Sequence, residues 1–146
     1  MARAILFLSL TLALFLASAY GADYDRTYWP GLSKGVREKV IAAHSVAMVR
    51  CAYTGAMVPS EAVQVDHIVP VAVAWRLGAR SWSNETRKEF YNDTDNLVPV
   101  LAGVNASKGD KAPRQWMPRI NRDQYIAAWR LVCGKYGLNC DQEIGQ

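Results

Sequence analysis

The sequence has 146 residues, a formal net charge of +4 and a hydrophobic fraction of 51%. This length provides for one domain of ordinary size and is too short for two, and the hydrophobic fraction fits a globular protein. The mild basic excess permits a polyanionic partner but does not require one, so charge alone does not select a function.

The first predicted element is a secretory signal over residues 1–22. One basic residue precedes an uncharged apolar run of about 13 residues, shorter than the roughly 20 that span a membrane as a helix. Small residues after the run fit cleavage after Ala19 or after Gly21. We therefore expect cleavage near 19–22, a single soluble domain over 23–146, and a secreted or periplasmic location. The alternative is an uncleaved N-terminal anchor.

The remaining elements are predicted from the spacing of apolar residues and from turn and capping residues. The first elements in chain order are a helix over 35–49 capped by Ser33, a strand ending in a turn over 51–55, and a strand over 62–69. A short helix over 71–78 follows, then a helix through Tyr91 capped by Ser83, and a turn over 92–95. The last elements are a strand over 96–101, a helical start over 102–108, and a helix capped by Asn121 that runs to about Lys135 and stops at Gly137. His44 falls on the apolar side of the first helix, where we expect a core or boundary histidine.

Two of these strands are separated by helices and followed directly by a helix. This order makes a ββα unit with a long insertion between its strands. The other helices would pack around the unit, so the fold class that we expect is α+β. Pro99 marks the second strand as an edge or irregular strand, because proline donates no hydrogen bond to a neighbour.

Three cysteines lie outside the expected signal, namely Cys51, Cys133 and Cys140. Export to an oxidising compartment makes a disulfide plausible. Cys133 and Cys140 flank a turn-like stretch and are the favoured pair. The alternative is three buried thiols, and the state of Cys51 is left open by the sequence.

Three pieces of the sequence carry groups suited to phosphodiester hydrolysis. Asp66 and His67 end one strand, Asn96 begins the next, and Asn105 lies on the helix that follows. A divalent cation can neutralise the charge that develops on the phosphate, and hard cations prefer oxygen ligands such as carboxylates and amides. Histidine is the side chain suited to take a proton from water near neutral pH. Because successive strand residues point to opposite faces, Asp66 could bind the metal while His67 faces water.

In this order the pieces resemble the HNH, or ββα-metal, nuclease superfamily. The resemblance rests on residues 65–70 (VDHIVP), 95–100 (DNLVPV) and 105–110 (NASKGD), with a step of nine residues from Asn96 in the second piece to Asn105 in the third. The surrounding sequence, over about 53–116, is similar to the secreted branch related to the nuclease domain of modification-dependent restriction enzymes.

The resemblance implies a role for each residue. Asp66 and Asn105 would be the metal ligands, His67 the general base, and Asn96 the residue that holds the loop between the strands and orients His67. Many members of the superfamily carry histidine at the third position, and the asparagine here favours one Mg²⁺ or Mn²⁺ ion over Zn²⁺. The implied reaction is attack by a water that His67 activates, which leaves a 5′-phosphate and a 3′-hydroxyl.

The expected partner is nucleic acid, with DNA favoured over RNA and little sequence selectivity, and we predict no protein partner. The candidate phosphate contacts are basic residues near these pieces: Lys108, Lys111, Arg114 and Arg76. A solvated helix end is the alternative interpretation of the two lysines. Arg76 and Arg80 could line a substrate groove with Trp75 and Trp82, although core positions explain the two tryptophans better.

Two other functions remain open at this point. One is a non-catalytic nucleic-acid-binding module on an inactivated HNH scaffold, which predicts binding without metal-dependent cutting. The other is a structural domain of the cell envelope. If the pKa of His67 is unshifted, nuclease activity should fall at about pH 6.5, where the imidazole becomes protonated.

Overall fold

The structure is a computed structural model that describes residues 24–42 and 47–145. The expected secretory signal and His44 lie outside the described residues. Within the described ranges, no helix combines the length and the apolar character needed to cross a membrane.

The described residues form helices packed on two small antiparallel sheets. The strands are β1 (Met48–Arg50), β2 (Met57–Pro59), β3 (Val63–His67) and β4 (Leu97–Leu101). The helices are α1 (Val36–Ala42), α2 (Val71–Arg76), α3 (Asn84–Asn92), α4 (Ala102–Lys108), α5 (Arg122–Lys135) and α6 (Asp141–Ile144). Single 3₁₀ turns lie between them at Arg26–Tyr28, Ser60–Ala62, Ala79–Ser81 and Thr94–Asn96. The predicted α+β class is therefore confirmed.

Strands β3 and β4 pair in antiparallel register, with His67 opposite Leu97 and Val63 opposite Leu101. Helices α2 and α3 occupy the long connection between the two strands, and α4 begins directly after β4. Each strand of a two-stranded sheet has a free edge, so Pro99 is tolerated in β4. Its carbonyl oxygen accepts a hydrogen bond from the backbone N–H of Ala52 at 2.9 Å.

The hydrophobic core lies between this sheet, α2, α3 and α5. Phe90 and Trp129 are completely buried there, and their size makes them the main contributors to its packing. Trp75 is buried, and Trp82 is partly buried against the same cluster. The expectation that these two tryptophans belong to the core is therefore confirmed.

Helix α3 begins as the sequence predicts. The Ser83 hydroxyl accepts a hydrogen bond from the backbone N–H of Thr86 at 3.2 Å. This bond satisfies one of the N–H groups that the first turn of a helix leaves without a partner. The cap fixes where this helix begins, and Tyr91 in its last turn lies at the candidate site.

The first predicted helix ends earlier than expected. Helix α1 covers Val36–Ala42, whereas Met48–Arg50 is strand β1, paired with β2 through Val49 opposite Val58. Val49 is fully buried with Ile41 and Val63 in a second small cluster. A β-branched residue packs well on a pleated surface, and this pairing outweighs the helical spacing that the sequence suggests.

The stretch after β1 is a turn instead of the predicted strand. Gly55 has φ of +75°, which favours glycine, and its N–H donates to the carbonyl oxygen of Cys51 at 2.9 Å. This turn connects β1 to β2 and leaves the Tyr53 side chain directed into the core, where it is buried.

Helix α5 has the predicted length but not the predicted cap. Asn121 precedes it in a left-handed conformation (φ 54°, ψ 38°) and makes no side-chain capping bond. At the other end Gly137 has φ of +65°, and the N–H of Leu138 donates to the carbonyl oxygen of Cys133 at 2.9 Å. This is the Schellman arrangement that glycine permits after a helix.

The predicted disulfide between Cys133 and Cys140 is present, with 6.1 Å between the two Cα atoms. It joins the last turn of α5 to the residue before α6 and so fixes the C-terminal segment on the core. Cys51 is a free thiol and is completely buried. The question that the sequence left open for Cys51 is answered by its place in the core.

Candidate active site

Strand β3 presents Asp66 and His67 to different neighbours, as the alternation of strand side chains requires. The Asp66 carboxylate faces Tyr53 and helix α4, and it is 9% exposed. The His67 ring faces helix α3, 4.4 Å from the ring of Tyr91 between centroids. The two side chains thus approach the end of β3 from separate sides.

The Asp66 carboxylate is held by two donors. Oδ2 accepts a hydrogen bond from the Tyr53 hydroxyl at 2.8 Å and forms an ion pair with Lys108 Nζ at 2.9 Å. Burial raises the pKa of Asp66, and the positive charge of Lys108 and the Tyr53 bond oppose that rise. Burial also raises the pKa of Tyr53 well above its ordinary value, so Tyr53 remains a donor.

Lys108 is the residue whose position differs most from the sequence-based expectation. Its side chain is completely buried, and Nζ contacts both the Asp66 carboxylate and the carbonyl oxygen of His67, at 2.9 and 2.8 Å. This corrects the expectation that Lys108 offers a free charge to phosphate at a helix end. Burial lowers the pKa of Lys108, and Asp66 opposes that effect.

Helix α4 brings Asn105 to the same strand. Residues three apart on a helix share a face, so Asn105 and Lys108 both contact β3. Asn105 Nδ2 donates to Gln64 Oε1 at 2.9 Å, while Lys108 holds Asp66 two residues further along β3. The Asn105 amide oxygen takes no part in that bond. The predicted metal ligands Asp66 and Asn105 thus have different partners where α4 meets β3, Asp66 with Lys108 and Asn105 with Gln64.

The orientation of His67 is fixed by a backbone carbonyl. Its Nε2 lies 2.8 Å from the carbonyl oxygen of Tyr91, which can only accept a hydrogen bond. Nε2 must therefore carry the proton, and the lone pair lies on Nδ1. Burial lowers the pKa of His67 to about 4; the Tyr91 bond opposes this, and the charges of Lys108 and Arg26 reinforce it. The imidazole is neutral near pH 7.

Asn96 closes the loop that follows His67. Its side chain is completely buried; Oδ1 accepts from the Val69 N–H at 2.8 Å and Nδ2 donates to the Val69 carbonyl oxygen at 3.4 Å. The carbonyl oxygen of Asn96 also accepts from the N–H of Ile68 at 2.8 Å. These bonds fix the backbone directly after His67.

Asp66 and His67 meet in one open depression of about 210 Å³. Tyr24, from the N-terminal segment, and Asp110, from the turn after α4, line its other sides. Asp110 adds a second carboxylate at the mouth of the depression. A ligand that enters there would contact the carboxylate of Asp66 and the ring of His67 together.

The other predicted phosphate contacts lie on the surface. Lys111 is exposed, and its Nζ donates to the carbonyl oxygen of Ser107 at 2.6 Å. Arg114 and Arg76 both face the C-terminal segment: Arg114 donates to the carbonyl oxygen of Gln142 at 3.1 Å, and Arg76 lies 3.9 Å from Glu143. Arg114 and Arg76 are thus placed beside α6, and neither lines the depression around Asp66 and His67.

Four residues of the site were missed by the sequence analysis: Tyr53, Tyr91, Asp110 and Tyr24. Tyr91 contributes through its backbone carbonyl, which no side-chain pattern reveals. Tyr53 and Tyr24 reach the site from segments distant in sequence. Asp110 directly follows Lys108 and Gly109 in a quoted motif and could have been noted as a carboxylate close to Asn105.

The donor set decides which metal these residues could hold. The described part of the chain contains no group of three or more His, Cys, Asp or Glu side chains arranged around a metal position. The oxygen donors near the depression are the carboxylates of Asp66 and Asp110 and, on α4, the amide of Asn105. A site with a small number of oxygen donors suits an ion that keeps most of its water shell, as Mg²⁺ does. It is less suited to an ion that is held in a closed site of nitrogen and sulfur ligands.

Comparison with known proteins places the chain in a family. Residues 37–139 match the model of the C-terminal domain of GmrSD restriction endonucleases. An 81-residue stretch is 38% identical to a protein of Arthroderma benhamiae described as "Uncharacterized secreted protein". That match covers 53% of this chain and 40% of the relative, so the chain spans less than half of the relative's length. No solved structure matches the chain. Because the family model covers more than two thirds of the sequence, the chain belongs to the family of GmrSD restriction endonuclease C-terminal domains.

Proposed function

We propose that this protein is a secreted metal-dependent endonuclease that hydrolyses phosphodiester bonds of DNA with little sequence selectivity, and that its core is a ββα-metal unit. The family supports a nuclease-related function, and the order β3, β4, α4 agrees with that core. RNA is the second substrate to test. The signal-like segment at 1–22 and the printed name of the relative support export to the cell exterior or the periplasm.

The observation that carries the proposal is the hydrogen bond from His67 Nε2 to the Tyr91 carbonyl oxygen. It fixes the tautomer with a free lone pair on Nδ1, and the ring borders the depression that also holds Asp66. A neutral imidazole held in one orientation is the arrangement that a general base needs. In this proposal Nδ1 takes a proton from the water that attacks the phosphate.

The residues proposed to hold the metal are Asp66 and Asn105. Lys108 and Tyr53 bind Oδ2 of Asp66 and keep the carboxylate in one orientation. Asn105 bonds to Gln64 through its amide nitrogen, so its amide oxygen is not used in that bond. When bound, Mg²⁺ or Mn²⁺ would supply positive charge that stabilises the scissile phosphate and the leaving oxygen. Asn96 acts by positioning, because it holds the backbone at Val69.

Plasmid cleavage by the purified chain tests the proposal. Supercoiled DNA is incubated with Mg²⁺, Mn²⁺, Zn²⁺ or EDTA, and the ends of the products are analysed. We expect cutting in Mg²⁺ or Mn²⁺ that leaves 5′-phosphates and stops in EDTA, and a loss of metal binding in Asp66→Asn measured by calorimetry. Failure of the folded protein to cut DNA or RNA with any of these metals would contradict it. Binding of nucleic acid without cutting would indicate the non-catalytic module instead.

A further inference from the structure

Two exposed tyrosines rest on a buried tryptophan next to the candidate active site. The Tyr28 ring stacks on Trp75 with 5.3 Å between centroids and 22° between planes, and Tyr24 packs edge-on against Trp75 at 6.4 Å. Trp75 is 8% exposed, whereas Tyr28 is 55% exposed and Tyr24 41%. Trp75 packs on one side of the Tyr28 ring and Arg87 Cζ lies 5.9 Å from the ring centre, yet more than half of the Tyr28 surface stays accessible to solvent. We call Tyr24, Tyr28 and Trp75 the aromatic platform.

The platform borders a depression with a free positive charge. The depression has a volume of about 610 Å³ and is lined by Asp25, Tyr28, Trp75, Arg80, Asn84 and Arg87. Arg80 is exposed, and its guanidinium makes no hydrogen bond or ion pair with the residues that the structure describes. It is therefore available to an anionic ligand.

Arg87 has a different task, because its guanidinium is already bonded on three sides. It donates to the carbonyl oxygens of Ala79 and Arg80 and to the side chain of Asn84. Its Cζ atom lies 5.4 Å from the centre of the Trp75 ring. Arg87 thus holds the platform in place and leaves phosphate contacts to Arg80.

Tyr24 connects this surface to the catalytic residues. It lines the depression that contains Asp66 and His67, and it also contacts Trp75 of the platform. A bound strand could therefore extend from the site over Tyr24 toward the exposed Tyr28, because both tyrosines contact Trp75.

We propose that the platform and Arg80 bind unpaired nucleotides, with a base stacked on Tyr28 and a phosphate at Arg80, so that the preferred substrate is single-stranded nucleic acid. This proposal names the form of the substrate, and it rests on the proposed nuclease function in taking the bound strand as the substrate that is cut. An exposed aromatic face recognises a base only when that base is free, because a duplex covers its ring faces by stacking. DNA and RNA strands share this chemistry.

Binding in EDTA tests the proposal without any dependence on cutting. Fluorescence anisotropy is measured for a labelled 16-nucleotide DNA strand, the RNA of the same sequence and the DNA duplex. We expect the single strands to bind at least tenfold more tightly than the duplex. Tyr28→Ala should weaken binding of the single strands by about 5- to 150-fold, the loss expected for one stacked base. Tyr28→Phe keeps the ring and should bind as the original chain does.

The arginine is tested by its salt dependence. Arg80→Ala should reduce the slope of log affinity against log salt for a single strand by about 0.7, the value for one phosphate contact. Two exposed residues of α5 provide matched controls. Leu131→Ala removes exposed apolar surface, as Tyr28→Ala does, and Arg130→Ala removes an exposed positive charge, as Arg80→Ala does. Neither control should change affinity for the strands.

The outcomes separate this proposal from the nuclease itself. Equal affinity for strand and duplex, or unchanged strand binding by Tyr28→Ala, would overturn the platform even if the protein cuts plasmid DNA. Tight strand binding that depends on Tyr28, in a protein that cuts nothing with any metal, would support the platform and contradict the nuclease. Binding of the RNA strand alone would also support it and would identify RNA as the source of the unpaired bases.

Discussion

At the scale of single residues, Lys108 places a fixed positive charge 2.9 Å from the Asp66 carboxylate inside the protein. A buried carboxylate without a partner is costly, so the lysine and the tyrosine at this position oppose the burial that raises the pKa of Asp66, and they hold its carboxylate in one orientation. The sequence predicts Asp66 as a functional residue from its motif. It could not predict the lysine's role, because an identical charge at a solvated helix end would give the same sequence pattern.

Replacing Lys108 by methionine should therefore destabilise the fold more than a surface charge would. We expect a loss of about 3–5 kcal/mol in the free energy of unfolding, since the change leaves a buried charge without its partner. Urea unfolding followed by tryptophan fluorescence measures it. The double variant Asp66→Asn with Lys108→Met should recover part of the loss, and Lys111→Met, at an exposed position, serves as the control. A cost in Lys108→Met no larger than in Lys111→Met would contradict the buried pair.

The low pKa of His67, about 4 in the folded chain, links stability to pH. Above about pH 6.5 the imidazole is neutral in both the folded and the unfolded state and adds no pH dependence. Between about pH 6.5 and 4 only the unfolded state takes up the proton, so the folded state loses stability as the pH falls, by up to roughly 3 kcal/mol. The condition of an unshifted pKa, under which activity would fall at about pH 6.5, is therefore not met.

Unfolding of the metal-free protein in EDTA, compared with His67→Asn across this range, measures the effect. The original chain should lose its stability advantage over the variant as the pH approaches 4. Carboxylates that titrate in the same range are common to both proteins and cancel in the difference. Parallel curves for the two proteins would show that the pKa of His67 is not lowered in the folded chain.

At the scale of elements, the central strands and helices follow from local sequence. The bounds of β3, β4, α2 and α3 agree with the predictions to within about two residues, because prolines, the Ser83 cap and β-branched runs act locally. Strand β1 was missed since its three residues continue a helical spacing, and its pairing with β2 is decided by contacts across a turn. The contact of the Tyr91 carbonyl with His67 depends likewise on how α3 packs.

The disulfide gives an element-scale prediction. The bond between Cys133 and Cys140 closes a short loop at the end of α5, which already has a Schellman end, and it should add about 2 kcal/mol to the free energy of unfolding. Urea unfolding with and without reductant measures this contribution, because Cys51 is a thiol under both conditions. The variant with serine at both positions should match the reduced protein. If reductant leaves the unfolding midpoint unchanged, the bond does not stabilise the end of α5.

At the scale of the whole molecule, the long connection between β3 and β4 contacts both His67 and the N-terminal segment. It carries the carbonyl of Tyr91 to His67, and it carries Trp75, which supports the exposed tyrosines of the N-terminal segment. The order of the motifs predicts the catalytic candidates, and the insertion was expected to offer Arg76 and Arg80 to the substrate; its contact with His67 through the Tyr91 carbonyl was not predicted. The N-terminal tyrosines could not be placed in advance, because their position depends on contacts with Trp75, about fifty residues away in sequence.

The most direct test of the central claim is the cleavage rate of His67→Ala in Mg²⁺ or Mn²⁺, measured beside its affinity for a labelled DNA strand in EDTA. If His67 activates the attacking water, the variant should cut about 10²- to 10⁴-fold more slowly while it folds and binds the strand as the original chain does. A folded variant that binds the strand and cuts at nearly the original rate would contradict the assignment of His67 as general base.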